Sequence, residues 1–242
     1  MSEILNLKKF SFLVYGLGLT GCSVIKYFKK NKIVNYCVWD DNIKLKKSYQ
    51  NKAVINLSKS LAEVDFIILS PGISLKKTKY KKNLIAYKKK IITDIDLLYL
   101  SNANLKSVVV TGSNGKSTVC KIISHLLKKN KFGVKLGGNI GTPVLSLSNK
   151  KNNFFIIEAS SFQLSHSQFI KPNYAILLNI TNDHLDWHGS MQEYIKSKLK
   201  IFNFQEKNDF ALINKKFDNK FKKNKYLGKL IPLKLNEYKK VK

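Results

Sequence analysis

Arginine is absent from this chain: all 44 basic side chains are lysine. Acidic residues number only 15, which leaves a formal net charge of +29. A charge of that size invites a phosphate-rich partner, either nucleic acid or a nucleotide. A surface built to grip nucleic acid would draw on the bidentate fork of arginine. The lysines also run along the whole chain instead of gathering in one patch. Lysine, asparagine and isoleucine abound together, as AT-rich codons produce, so the charge is read as genomic and no nucleic-acid partner is expected. The competing reading, a lysine-rich nucleic-acid-binding module, predicts binding that collapses with salt.

Cysteine is scarce. Cys22, Cys37 and Cys120 show no C-x-x-C spacing and cannot all pair, which fits a reducing compartment with no disulfide frame and no zinc site. Long hydrophobic runs are missing too. Residues 10–25 follow Lys8-Lys9 as a signal peptide would, but Gly16, Gly18 and Gly21 interrupt them and no small-residue cleavage site follows. The run is shorter than the ~20 residues of a membrane span. A soluble, cytoplasmic protein without membrane insertion is expected. Hydrophobic residues still make up 44% of the 242, enough to build one large or two modest cores.

Apolar runs alternate with helical patterns, which predicts an α/β protein with parallel sheets. Strands are expected at Ser11–Tyr15, Ile33–Trp39, Ala53–Leu57 and Asp65–Leu69, with a helix carrying Val24, Ile25 and Phe28. Ile92–Asn104 reads as a join between domains, giving a first domain over 1–93 and a second over 94–242. The second alternation runs strand Ser107–Val110, helix Ser117–Lys129, strands Phe154–Ile157 and Tyr174–Leu178, helix Met191–Phe202 and strand Phe210–Ile213. Lys/Asn-rich sequence follows to Lys242.

Three strand ends in the first domain point to a ligand. Gly16-Leu-Gly18-Leu-Thr-Gly21 is a G-x-G-x-x-G turn between a strand and a helix, where backbone N–H groups can approach a diphosphate. Asp40 ends the second strand about 20 residues on, as an acidic ribose or base contact would. By itself this suggests NAD, or simply a tight structural turn. Ser70-Pro71-Gly72-Ile73 sits at a third strand end, so Gly18, Asp40 and Gly72 face one crevice.

The second domain carries phosphate chemistry. Thr111-Gly112-Ser113-Asn114-Gly115-Lys116-Ser117-Thr118 follows a buried-type strand and opens a helix. In this P-loop arrangement backbone N–H groups cradle phosphates, Lys116 meets the β/γ oxygens and Ser117 can hold Mg²⁺. Val110 stands where the usual first glycine would be. Glu158 caps the strand Phe154–Ile157, where a P-loop enzyme needs a metal ligand; an acidic strand cap is the plainer reading. Asn179-Ile-Thr-Asn-Asp183-His184-Leu-Asp186 follows another strand, and His184 is a candidate metal or substrate contact. Ser190-Met-Gln-Glu193 has capping-box spacing. On the helix it opens, Lys198 falls on the apolar face of Met191, Tyr194, Ile195 and Phe202. It is there either as a buried amine that is paired or chemically changed, or as a lysine that snorkels to solvent.

Together these residues resemble a Mur ligase. The G-N-G-K-[ST] loop, the Glu158 strand tip and the D-H-L-D segment are family features. Glu158-Ala-Ser160-Ser161-Phe162-Gln163-Leu164, Gly16–Ser23, Ser70–Ile73 and Gly137-Gly138-Asn139-Ile140-Gly141 are similar to the D-glutamate-adding branch. The likeness runs from about Phe10 to Asn214, with Ala159, Asn182 and Trp187 as departures. It implies a Rossmann-like UDP-sugar-binding domain and then an ATP-binding central domain that is incomplete, since nothing after Asn214 looks like the family's remaining parts. The chain is therefore read as a fragment lacking a third domain that carries most of the glutamate site.

The resemblance further implies that Leu19, Thr20, Asp40, Ser70, Gly72, Asn139, Ser160 and His184 bind the UDP-sugar. Gly112 to Thr118 would bind ATP. Ser117, Glu158 and Lys198 would hold two Mg²⁺, Lys198 as a carbamate, and Lys116, His184 and Lys198 would be catalytic. The implied activity joins D-glutamate to UDP-N-acetylmuramoyl-L-alanine at the expense of ATP in peptidoglycan precursor synthesis, and a monomer is expected. Rival readings are another amino-acid-adding Mur ligase and a P-loop kinase or NTPase. The S-S-F-Q segment speaks against the first; the S-P-G strand tip and Lys198 are unexplained by the second.

Overall fold

The computed structural model describes residues 6–75, 77–102, 104–147 and 153–233. The chain divides into two compact units. The first comprises Met1–Ala103 with Pro143–Ser148 and His166–Phe169; the second holds Asn104–Thr142, Asn149–Ser165 and Ile170–Lys242.

The first unit is built on β1 (Phe12–Tyr15), β2 (Tyr36–Trp39), β3 (Phe66–Leu69) and β4 (Ile91–Ile92), in the order β2-β1-β3-β4 with every pairing parallel. Its helices are α1 (Leu19–Lys30), α2 (Ile43–Lys47), α3 (Leu57–Glu63), α4 (Lys81–Ala86) and α5 (Asp94–Leu100). The central strand reads Phe-Leu-Val-Tyr without a polar break, and all four side chains are buried. That is the signature of a parallel strand covered on both faces. In register, Tyr15 lies opposite both Trp39 and Leu69. The turns at Gly16, Asp40 and Ser70 therefore leave the same edge of the sheet.

One segment of this unit differs from expectation. Ala53–Leu57 is not a strand: it makes one isolated bridge, Val38 to Ala53, and α3 starts at Leu57. The Asn56 side chain accepts from the Lys59 N–H and caps that helix, so a short polar side chain claims the backbone before a ladder can form. The 92–104 segment holds helix α5. Thr93 and Asp96 form a reciprocal capping box there, and Ile95, Leu97 and Leu98 are buried.

The second unit carries β5 (Ser107–Thr111), β6 (Gly133–Gly138), β7 (Asn153–Glu158), β8 (Tyr174–Leu177), β9 (Phe210–Asn214) and β10 (Lys229–Leu233). Their order is β10-β9-β8-β5-β7-β6, again all parallel. The helices are α6 (Lys116–Lys129), α7 (Ser161–His166), α8 (Leu185–His188), α9 (Met191–Leu199) and α10 (Asp218–Lys223). Sequence after Asn214 thus continues the central domain instead of leaving it: α10 returns the chain so that β10 can pair with β9. Pro232 is tolerated because β10 is the edge among the described strands of the sheet. Residues 234–242 lie outside the described part. At the opposite edge β6 escaped notice because glycines occupy three of its six positions.

Among the described residues no helix is long and apolar enough to cross a membrane, and Cys22, Cys37 and Cys120 are free thiols.

Candidate active site

In the first unit the glycine turn is shaped by close approach. Gly16 has φ +99°, and a Cβ there would come within 2.6 Å of Ser70 Cβ. A Cβ on Gly21 would lie 1.9 Å from the Gly16 carbonyl oxygen, so only glycine lets α1 seat on the turn. Gly18 caps α1 without a side-chain bond, which leaves first-turn N–H groups open to an anion. Leu19 is 86% exposed, and Gly18 and Gly72 are exposed too, with no atom within 4 Å of a Cβ built on either glycine. Asp40 faces inward to the turn. One carboxylate oxygen accepts from Leu17 N at 2.6 Å and the other from Asn42 N at 2.7 Å. Thr20 is half-buried, and Ser70 Oγ donates to the Gly16 carbonyl at 2.9 Å.

Next to this edge stands a group the sequence reading missed. Tyr15 Oη lies 3.0 Å from an Asp41 oxygen, and Trp39 Nε1 donates to the same carboxylate at 3.1 Å. Burial first, with Asp41 adding to it, raises the tyrosine far above its ordinary range. The phenol stays neutral and donates.

In the second unit β5 runs into the phosphate loop. Gly112 and Gly115 have φ +157° and +83°, and a Cβ on Gly112 would press to 3.1 Å from Leu178 Cβ. Like α1, α6 begins on a glycine with no side-chain cap. Asn114 and Thr118 are exposed, while Ser113 is buried. The loop is tied to the end of β8: Ser113 N donates to Asn179 O, Asn114 N to Asn179 Oδ1 and Thr181 N to Ser113 Oγ, all between 2.9 and 3.0 Å. Ser113 Oγ also lies 2.9 Å from Tyr194 Oη. The sequence reading named Asn179 and Tyr194 but gave neither a part in holding the loop; the position of Asn179 just past a strand tip was the available signal.

Lys116 folds back, its Nζ donating to the carbonyls of Gly112 at 3.0 Å and Ser113 at 2.8 Å. Ser117 Oγ donates to Glu158 Oε2 at 2.7 Å, and Asn139 Nδ2 to Glu158 Oε1 at 2.9 Å. Glu158 is only 2% exposed. It is reached because Val110 and Glu158 are register partners on β5 and β7. The approach of β6 is equally close: Gly138 has φ +111°, and a Cβ there would sit 2.3 Å from the Glu158 carbonyl. Beneath the loop, burial, with the Glu158 charge behind it, pushes the Cys120 thiol up to about 12, so it is inert.

Lys198 does not reach solvent. It is 1% exposed, donates to the Gly112 carbonyl at 2.8 Å and stands 4.6 Å over the Tyr194 ring. Burial first, then the Lys116 charge, lowers its ammonium to about 7, against a smaller opposing pull from Asp183. The snorkelling alternative is thereby excluded. Ser190 accepts from Glu193 N as an N-cap. His184 is exposed, with the left-handed φ of +51°, 3.3 Å from Asp183 and with its ring tilted against that of Phe162 at 4.7 Å between centroids. Ser160 is buried and engages Gln163. The second unit thus brings the phosphate loop together with Glu158, Asn139 and Lys198. Among the described residues no group of three or more His, Cys, Asp or Glu side chains is arranged to hold a metal.

Comparison with known proteins agrees with this geometry. Residues 10–93 match the Mur ligase MurD-like N-terminal domain and residues 110–233 the Mur ligase middle domain. The UDP-N-acetylmuramoylalanine–D-glutamate ligase of Rickettsia felis is 41% identical over 210 residues, covering 83% of this chain and 45% of the relative. Its namesake from Wolbachia pipientis is 38% identical over 226 residues, covering 91% and 44%. The chain thus spans about half the length of the curated relatives it matches. Among solved structures, the UDP-N-acetylmuramate:L-alanyl-gamma-D-glutamyl-meso-diaminopimelate ligase from Neisseria meningitides aligns with a TM-score of 0.54 at 14% identity, covering 92% of this chain and 77% of that one. That likeness concerns the fold alone. With both of its sheets accounted for by matching domains, the chain belongs to the Mur ligase family.

Proposed function

We propose that the chain supplies the nucleotide-sugar and ATP-handling parts of an ATP-dependent ligase that adds D-glutamate to UDP-N-acetylmuramoyl-L-alanine in peptidoglycan precursor synthesis. The observation that carries the reading is the bond from Ser117, on the phosphate loop, to the buried Glu158. The curated relatives named above support the choice of substrate. A soluble, cytoplasmic monomer goes with this reading.

In the reaction the L-alanyl carboxylate attacks the γ-phosphorus of ATP, ADP leaves and an acyl phosphate forms. The amine of D-glutamate then attacks the acyl carbon, phosphate leaves, and the nitrogen gives up a proton as the amide forms. The protein's part is positioning and charge neutralisation. The loop N–H groups that Asn179 does not already hold would cradle the phosphates, with Thr118 at their edge. Lys116 exchanges its two loop carbonyls for phosphate oxygens. In the first unit Leu19, Thr20, Ser70 and Gly72 would contact the UDP-sugar; in the second, Asn139, Ser160 and His184 are the proposed substrate contacts. Asp40, whose carboxylate is already bonded to Leu17 N and Asn42 N, would act chiefly by holding the turn.

The donors suit Mg²⁺. Among the described residues the buried Glu158 carboxylate has neutral hydrogen-bond partners, Ser117 and Asn139, and no ion pair, so a cation would complete its balance. Ser117 and Glu158 would hold one ion; Glu158 and a carbamylated Lys198 would hold the other. Bound there, Mg²⁺ would offset the charge of the phosphates. An amine lowered to about 7 is partly neutral in the cell, the form that reacts with CO₂. His184 would orient the reacting groups.

Calorimetry on the 242-residue chain tests the reading. Saturable binding of UDP-N-acetylmuramoyl-L-alanine and of Mg·ATP is expected, with none of NAD. Binding of NAD without binding of the UDP-sugar would overturn it.

A further inference from the structure

The first unit contains a buried tether that the proposed chemistry leaves unused. Residues 166–169 pack within this unit, anchored on Asp96, which is 0% exposed. One Asp96 oxygen accepts from Ser167 Oγ, from Gln168 N at 3.0 Å and from Phe169 N at 2.7 Å. The other accepts from Thr93 N at 2.8 Å and Thr93 Oγ1 at 3.1 Å. Gln168 Nε2 adds bonds to the carbonyls of Ile91 and Lys89. Three consecutive residues are thereby fixed to the start of α5.

His166 extends from this fixed base. It is 7% exposed, and its Nε2 lies 3.3 Å from the carbonyl oxygen of Ile73. Ile73 closes the Ser70–Ile73 turn through its N–H to Ser70 O at 3.0 Å. The same two residues wall the glycine turn: Ser70 Oγ bonds the Gly16 carbonyl, and a Cβ on Gly16 would come 2.9 Å from Ile73 Cδ1. Contact therefore runs without a break from Asp96 through His166 and Ile73 to Gly16.

We propose that His166 is a positioning residue for the nucleotide-sugar site, holding the Ser70–Ile73 turn, and through it the Gly16–Gly21 turn, in binding geometry. The inference rests on the crevice of the first unit being the UDP-sugar site. A carbonyl only accepts, so the imidazole must carry its proton on Nε2. A histidine tied to a backbone atom of a ligand turn, from a base held by a buried carboxylate, costs conformational freedom that a surface loop ordinarily keeps.

The test uses His166→Ala and His166→Gln in the 242-residue chain, since a glutamine amide nitrogen can reach the same carbonyl. Hydrogen exchange at the Ile73 amide reads the turn without any ligand, and calorimetry with UDP-N-acetylmuramoyl-L-alanine reads the site. In His166→Ala, protection at Ile73 should fall about tenfold, and affinity about three- to tenfold, as loss of one aimed hydrogen bond predicts. His166→Gln should restore most of both. Unchanged protection in His166→Ala, or lost protection with unchanged affinity, would overturn the role. If the wild type binds no UDP-sugar while protection still depends on His166, the substrate reading fails and the brace stands. Should the alanine variant not fold, nitrogen-15 spectra of the wild type decide: a neutral ring protonated on Nδ1 rejects the bond to Ile73.

Discussion

Ser117 Oγ and Glu158 Oε2 are 2.7 Å apart, joining the first turn of α6 to the tip of β7. The carboxylate is buried and the hydroxyl is half-buried, so a small cation arriving with a nucleotide meets both at once. Glu158→Gln keeps the shape and removes the charge. Its ATP affinity without Mg²⁺ should stay near that of the wild type. The gain on adding Mg²⁺ should shrink about tenfold or more, as expected when a charged ligand becomes neutral. Calorimetry with and without the ion measures this; an undiminished gain would remove Glu158 from the metal site.

Two glycines of the first unit should respond in opposite ways. Gly21→Ala places a Cβ 1.9 Å from the Gly16 carbonyl, a backbone atom that cannot swing aside. Stability should drop by ~2 kcal/mol or more. Gly72→Ala meets nothing within 4 Å, so its urea midpoint should barely move. Its added methyl group would point into the proposed UDP-sugar crevice and weaken binding there. Equal stability loss in both variants would contradict the packing described for α1.

Much of this architecture was legible in advance. Uninterrupted apolar strands such as Phe12–Tyr15 and Val108–Val110 announce burial on both faces, and a glycine-containing turn after each marks the edge proposed to meet ligands. The expected strand ends put Gly16, Asp40, Ser70, Gly112 and Glu158 where the strands of the fold do end. Legibility failed where the determinant was a partner instead of a local pattern. β6 and β10 have weak propensity and exist because β7 and β9 offer them a ladder. Asn56 caps α3 where an apolar run suggested a strand. The bonds of Asp96 to residues 167–169 and of Ser113 to Tyr194 span 71 to 81 positions, beyond any motif.

The uniform lysine content hides at least one lysine with a structural task. Lys90 Nζ donates to the carbonyls of Ala62 and Val64, both at 2.7 Å, and of Leu61 at 3.3 Å, at the C-terminus of α3. These are the orphan acceptors of a helix end, where a cation also meets the favourable end of the helix dipole. Lys90→Met should cost ~1–2 kcal/mol in urea denaturation, in line with several hydrogen bonds to a charged donor. Lys88→Met and Lys89→Met alter exposed side chains and should change stability by less than ~0.5 kcal/mol. If all three variants behave alike, the cap contributes nothing.

Lys198 should make stability depend on pH in a direction opposite to that of a salt-bridged lysine. Its folded-state ammonium is lowered to about 7, chiefly by burial and then by Lys116, from the ordinary value of 10.5. Between those values the unfolded chain carries a proton at this position that the folded chain does not. The unfolded state binds more protons there, so stability rises with pH across that window. Below about 7 both states are charged and the folded state bears the full penalty of the buried ammonium. Lys198→Met removes the titrating group while filling similar volume. The variant should therefore unfold at a higher temperature than the wild type at pH 6.5, with the advantage shrinking steadily toward pH 10. Part of the gain will be offset because the Gly112 carbonyl loses the bond it accepts at 2.8 Å. Thermal unfolding of both proteins across that pH range, in buffers purged of CO₂ to keep the amine unmodified, measures the difference. A difference independent of pH would mean that Lys198 keeps an ordinary proton affinity and is hydrated in solution. Repeating the series with ¹³C-labelled bicarbonate at pH 8 should give one carbamate carbon signal in the wild type that Lys198→Met lacks, over a background that other neutral amines such as the α-amino group give in both, because only a neutral amine can attack CO₂.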